Sequence, residues 1–150
     1  MKSLIVLVSY YHNNTRKVAE VVQKVLDAEV KSPQETSPEE LEQYDLLGFG
    51  SGIYAGKHHE LLLDLADRLP KASKRRTFIF STSGETRHVD KFHSKLRGKL
   101  QSKGYLIVGE FNCPSFDTNG FLKHIGGMSK GRPNAEDLRK AEEFASRLKI

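Results

Sequence analysis

Three short stretches carry residue types suited to gripping a small charged ligand. The first is Tyr10-Tyr11-His12-Asn13-Asn14-Thr15, with Ser9 before it. It follows the apolar run Leu4-Ile5-Val6-Leu7-Val8 and precedes Val18, Val21, Val22, Val25 and Leu26, spaced i, i+3, i+4, i+7, i+8. A continuous apolar run reads as a strand buried on both faces, and the second pattern as one face of a helix. A tight turn between them points free backbone N–H groups and the positive end of a helix dipole at one spot, which suits phosphate. Asn13, Asn14 and Thr15 add side-chain donors, and Asn tolerates left-handed backbone. The plain alternative is a capped helix after a strand.

The second stretch is Ser51-Gly52-Ile53-Tyr54-Ala55-Gly56, preceded by Gly50. Its glycines imply unusual backbone angles or a close approach, and Tyr54 offers a ring face. The third is Thr82-Ser83-Gly84-Glu85-Thr86-Arg87, rich in small and hydroxyl residues. A phosphate-type turn, an aromatic on a glycine-rich loop and a hydroxyl-rich loop together suit a ligand with a phosphate at one end and a flat ring at the other.

These stretches need a frame that brings them together. Buried strands are expected at Leu4 to Val8, Tyr44 to Phe49, Thr77 to Phe80 and Tyr105 to Val108, with a short edge strand at Ala28 to Lys31. Helices are expected after the first stretch, after Ser37-Pro38 (short, with Ser37 as cap), over Leu61 to Leu69, over Val89, Phe92, Leu96 and Leu100, and from Asn134 onward, with Asn134 and Asp137 as a capping box. Residues Glu110 to Pro133 read as a long irregular stretch that covers something or works. Strands alternating with helices make βαβ units and a parallel sheet, and each of the three stretches then follows the C-terminal end of a strand, on the side where such sheets bind ligands.

Length and composition narrow the classes. The 150 residues suggest one domain. No apolar run approaches a membrane span, and the N-terminus reads as a first strand rather than a signal peptide. The one cysteine, Cys113, excludes an internal disulfide and fits a reducing cytoplasm. Its two readings are a buried inert thiol and a reactive one near the ligand. The net charge of +5 favours acidic partners. Lys74-Arg75-Arg76 is the tight basic triplet, and no nucleic-acid motif accompanies it. The neighbours His58 and His59 cannot both face one metal from a helix. His12 is open between a solvated loop residue and a phosphate partner, and Asp117 between a turn residue and an acid near the site.

The three stretches resemble those of short-chain flavodoxins. Asn14-Thr15-Arg16-Lys17-Val18-Ala19 is similar to the end of that family's phosphate loop, Gly50-Ser51-Gly52-Ile53-Tyr54 resembles its second flavin loop, and Ser81-Thr82-Ser83-Gly84 its third. The segment Lys130 to Asn134 followed by Glu136-Asp137-Leu138 resembles the C-terminal part of a bacterial and archaeal branch. The resemblance spans essentially the whole chain. It implies an α/β three-layer sandwich with a five-stranded parallel sheet in the order 2-1-3-4-5, and FMN held by Tyr10 to Thr15, Ser51 to Gly56, and Thr82 to Glu85 with Arg87. Tyr10 to Asn13 stand where the family usually offers hydroxyls and a glycine, which leaves more of the phosphate to His12 and backbone N–H groups. Tyr54 stands where Trp is frequent.

What the resemblance implies about function is electron transfer between redox partner proteins, with no catalytic residue of the chain's own. The alternative is an FMN-dependent quinone or NAD(P)H oxidoreductase. A third class is a flavin-free interaction module. A response regulator shares the architecture but needs acidic metal ligands after the first strand, and Ser9-Tyr10-Tyr11 supplies none. Around the expected ring, Lys57, His58, His59, Arg87 and His88 face Glu60, Glu85 and Asp90, a balance expected to favour a reduced, negatively charged flavin.

Overall fold

The apolar run at the N-terminus is buried on both faces because both are covered. In the computed structural model, which describes residues 1–9, 14–115 and 131–149, strand β1 (Ser3–Val8) is buried at all six positions. It pairs in parallel with β2 (Glu29–Lys31) on one side and β3 (Leu46–Tyr54) on the other. The strand β5 (Arg75–Ser83) continues the sheet from β3, and β6 (Tyr105–Pro114) closes it. The five parallel strands lie in the order β2-β1-β3-β5-β6, the expected arrangement. A two-residue strand, β4 (Lys57–His58), folds back antiparallel on the end of β3.

Alternate side chains of each strand feed two separate cores. Leu4, Val6, Val8, Leu47, Phe49 and Ile79 meet α2 (Glu60–Arg68) and α3 (Val89–Ser102). On the opposite face Ile5, Leu7, Phe78 and Phe80 meet α1 (Asn14–Leu26) and α4 (Ala135–Leu148). Three layers result. Asn134 and Asp137 form the expected capping box of α4, with reciprocal bonds of 2.9 and 2.8 Å. Arg132 grips the Asp137 carboxylate in a two-pronged ion pair. Among the described residues no helix is long and apolar enough to cross a membrane.

Several elements differ from the expectation. The second and third ligand stretches begin inside strands, since β3 runs on to Tyr54 and β5 to Ser83. Small residues do not end a strand when a neighbour satisfies their backbone, and here Ser51 pairs with Ser81 and Gly52 with Thr82. Likewise Glu110 to Pro114 is strand and not irregular. A register shift beside Thr77 and Phe78 absorbs Val108, and pairing resumes from Gly109 to Pro114. The remainder of the expected loop, including Asp117, lies outside the described residues. The short helix after Ser37 is a 3-10 helix (Pro38–Gln43), and the Ser37 hydroxyl bonds the Glu39 carboxylate without capping it.

Gly50 answers to packing. A Cβ there would lie 2.1 Å from the tip of the Phe80 ring, and one on Gly48 2.2 Å from Phe78. The two phenylalanines lie flat over the two glycines across the β3–β5 pair. Gly50→Ala is therefore expected to cost about 1–3 kcal/mol through overpacking. Adding Phe80→Leu should recover part of that loss, so the double variant should be more stable than the two single costs predict. Urea unfolding of the three variants measures this; strictly additive costs would mean that Phe80 is not what excludes a side chain at Gly50.

Candidate functional site

Parallel register sets Val8, Ser51, Ser81 and Asn112 in one row across β1, β3, β5 and β6. The expected ligand stretches extend from that row on one edge of the sheet. The first and third are joined directly, since Thr15 Oγ1 and Thr82 Oγ1 are 2.7 Å apart and both residues are buried. Ser9 Oγ accepts the Arg16 N–H at 3.2 Å, tying the residue after β1 to the first turn of α1. Helix α1 starts at Asn14 with no acid in its first turn, and Arg16 and Lys17 stand there instead. Cations at a helix N-terminus oppose the dipole, so the first turn of α1 leaves its dipole unmatched by any acid of its own. Tyr10, Tyr11, His12 and Asn13 lie outside the described residues.

The second stretch is a hairpin. Tyr54 pairs with Lys57, and the two turn residues Ala55 and Gly56 have φ of 51° and 78°. Two left-handed residues in a row are what a tight turn between right-twisted strands requires. Ser51 Oγ donates to the Gly52 carbonyl at 2.6 Å and accepts the His59 N–H at 3.0 Å. His59 Nδ1 in turn accepts the Leu61 N–H at 3.0 Å and so caps α2. The half-exposed Tyr54 ring meets the His59 ring edge-on, with centroids 4.9 Å apart. The hairpin is thereby locked to the start of α2 and carries one tyrosine face at the sheet edge.

In the third stretch Ser83 Oγ donates to the Glu85 carbonyl at 2.7 Å. The Glu85 carboxylate accepts the Arg87 N–H, the Arg87 guanidinium and His88 Nδ1. Partial burial acts to raise the Glu85 carboxyl, and these donors outweigh it and hold it below the ordinary range. Lys57 likewise lies 3.5 Å from Glu60. The basic residues near the edge are thus largely matched locally. One departs altogether from the expected charge balance, because His58 is buried and carries no charge. Its Nε2–H donates to the Phe80 carbonyl at 3.0 Å. Burial first, then the neighbouring His93, push its pKa down to about 3.

Behind this edge lies a polar cluster that the sequence reading did not assemble. His93, fully buried on α3, has Nε2 2.6 Å from Ser81 Oγ and Nδ1 2.9 Å from Glu110 Oε1. Arg97 holds Glu110 with bonds of 2.8 and 2.9 Å. Asn112 Nδ2 donates to Ser81 Oγ at 2.9 Å and to Ser83 Oγ at 3.0 Å. The His58 ring lies 4.8 Å from that of His93. The helix turns His93, Leu96 and Leu100 inward, while Phe92, expected there, is only half-buried. A histidine three and seven residues before two core leucines was the available signal; nothing in the sequence joins it to Glu110. Serine, histidine and glutamate have the connectivity of a hydrolytic triad, but Ser81 is fully buried and already accepts the Asn112 N–H, so it is no nucleophile.

A flavodoxin-domain model matches residues 5–112. The chain belongs to the flavodoxin family. It is 45% identical over 148 residues to an uncharacterized protein of Methanocaldococcus jannaschii, covering 99% of this chain and 98% of that one. Among solved structures it is similar to a flavodoxin of Streptococcus pneumoniae TIGR4 (TM-score 0.72, 15% identity, 99% of this chain and 97% of that one). It is also similar to oxidised flavodoxin 2 of Bacillus cereus (TM-score 0.71, 18% identity, 97% and 95%). These two likenesses establish the fold. On it, Thr15, the hairpin and Ser83 to Arg87 occupy one edge, while Cys113 points into the core beside α4. Burial pushes its thiol up to about 12, which is the inert reading. Among the described residues no cluster suited to a metal occurs.

The buried histidines give this flavodoxin a defined acid weakness. Both His58 and His93 are held below the ordinary histidine pKa, mainly by burial. In the unfolded chain each takes a proton near pH 6.5 that the folded chain takes up only at lower pH. Stability is therefore complete above that pH and falls as pH drops through it, by up to about 1.4 kcal/mol per pH unit and per histidine. Urea midpoints measured down to about pH 5, above most carboxylate titration, should show the slope, and His58→Gln should flatten it. An unchanged slope in that variant would mean that His58 is charged in the fold.

Proposed function

We propose that this flavodoxin-family chain holds one FMN on the three strand-end stretches and carries electrons between partner proteins. The observation that supports this most is the tie between Thr15 and Thr82 at 2.7 Å, directly beside an α1 N-terminus that has cations and no acid in its first turn. The donors fit a phosphate. With Thr82 as the hydrogen-bond donor, Thr15 keeps its own proton for an anionic oxygen. Asn14 and Thr15, with the N–H groups of the helix start, would hold the phosphate, and Tyr10 to Asn13 complete that loop in this reading. The hairpin from Ser51 to Gly56 would cover the ring, with Tyr54 as the stacking face. Thr82 to Glu85 and Arg87 would border its polar edge. When bound, FMN supplies the one- and two-electron chemistry, and the protein positions and tunes it.

A chain with a net charge of +5 fits an acidic redox partner. Such a partner would be steered by charge, so electron transfer should slow as salt rises. Steady turnover of NAD(P)H with a quinone would instead favour the oxidoreductase reading, and a chain that takes up no flavin would leave the interaction module.

Thr15→Ala is the discriminating variant. A hydrogen bond to a charged group contributes about 1.5–3 kcal/mol, so FMN affinity should fall about ten- to a hundred-fold. Riboflavin, which lacks the phosphate, should bind the variant and the parent alike. Fluorescence-quenching titrations with both flavins measure this, and equal losses for the two would place Thr15 away from the phosphate.

A further inference from the structure

The cluster behind the third stretch is a directed chain of hydrogen bonds that can run in two senses. Arg97 and His93 Nδ1–H both donate to Glu110. The Ser81 hydroxyl then donates to the free Nε2 of His93. Ser81 Oγ accepts from Asn112, whose amide also serves Ser83 Oγ, and Ser83 donates to the Glu85 carbonyl. With neutral His93 every group named has a partner.

Protonating His93 cannot leave this order intact. Its Nε2–H must then donate to Ser81 Oγ, and the Ser81 proton needs a new acceptor. Asn112 supplies one by turning its amide oxygen toward Ser81 and Ser83. The Ser83 hydroxyl then donates to that oxygen and releases the Glu85 carbonyl. A proton placed in the sheet interior thus reaches the loop that borders the proposed flavin.

We propose that His93 is a positioning residue: its protonation reverses the hydrogen bonds from Ser81 through Asn112 to Ser83, resets the loop from Ser83 to Arg87, and so couples anionic flavin held there to proton uptake inside the sheet. The coupling rests on the flavin reading given above; the reversal itself does not. The charged and titratable groups facing His93 are Glu110 from β6, Asp90 and Arg97 from its own helix, and His58 from β4. On α2, the other helix against α3, Asp67 is engaged by Lys99 at 2.6 Å. Burial holds His93 below the ordinary histidine pKa, with Glu110 opposing, and a further negative charge nearby would raise its proton affinity. Linkage is reciprocal, and a ligand that raises His93's proton affinity binds better once His93 is protonated.

The test uses nitrogen-15 NMR of the histidine rings and of the Asn112 side-chain amide. In the flavin-free protein, His93 should be the neutral Nδ1–H form at about pH 8. As pH falls, the Asn112 amide and the Ser83 and Glu85 backbone amides should shift with the His93 midpoint. A His93 that titrates without moving them, or never titrates above the acid unfolding of the chain, overturns the reversal whether or not flavin binds. With FMN bound and reduced, His93's proton affinity should rise about fivefold or more, at the low end of ordinary site-to-site coupling. His93→Gln keeps a donor for Glu110 and an acceptor for Ser81 but cannot titrate. Its affinity for reduced FMN should lack the strengthening toward acid that His93 gives the parent, leaving only the pH dependence that the flavin phosphate and the other groups contribute to both. A variant with the parent's pH profile overturns the coupling, and if the variant does not fold, the wild-type shifts on reduction decide it.

Discussion

Parallel pairing of β1, β3 and β5 in one register is the constraint on which the site depends. It sets Val8, Ser51 and Ser81 side by side, so the segments leaving these strands all emerge on one edge. Each backbone group within the strands finds a partner in its neighbour, and only past the last pairs do free N–H groups become available to a ligand. Pairing this close between β3 and β5 also needs room. The phenylalanines at 78 and 80 take it by lying over glycines, whose missing side chains they replace. Gly50, which opens the glycine-rich ligand stretch, thus also secures the strands that aim it.

Behind the edge, polar groups replace an apolar core. Ser81, His93, Glu110, Arg97 and Asn112 saturate one another, which is the condition under which a buried network is tolerated. An apolar cluster of the same shape would hold the fold at least as well. Its presence next to the third stretch, and its hydrogen bonds into Ser83, connect the interior of the sheet to the edge. His58 extends it toward the hairpin through the Phe80 carbonyl. Burial holds both histidines below the ordinary histidine pKa, so the cluster takes up protons less readily than free histidines would.

Much of this was legible in the residues. The run Leu4 to Val8, the spacing of Val18, Val22 and Leu26, and the cap at Asn134 fixed the elements and their order, because each rests on local periodicity or local hydrogen bonding. Strand ends were not legible. Ser51, Gly52 and Glu110 to Pro114 look like loop by composition and are strand through pairing with distant partners, while Ile53 and Tyr54 are strand through the hairpin to β4. The polar cluster was hidden for the same reason. His93 and Glu110 are 17 residues apart and meet only when α3 lies across β6. His58 looked like surface charge because its neighbour His59 caps a helix at the surface while His58 turns inward.

Amide NMR of the flavin-free chain during titration with FMN tests the central claim most directly, since it locates the ligand residue by residue. The account predicts one saturable event in which the amides of Thr15, Gly52, Tyr54, Gly84 and Arg87 shift together. The groove between α1 and α4 near Val21, Ala28 and Leu138 should stay unchanged. Shifts confined to that groove, or no shifts among the strand-end amides at saturating FMN, would contradict it.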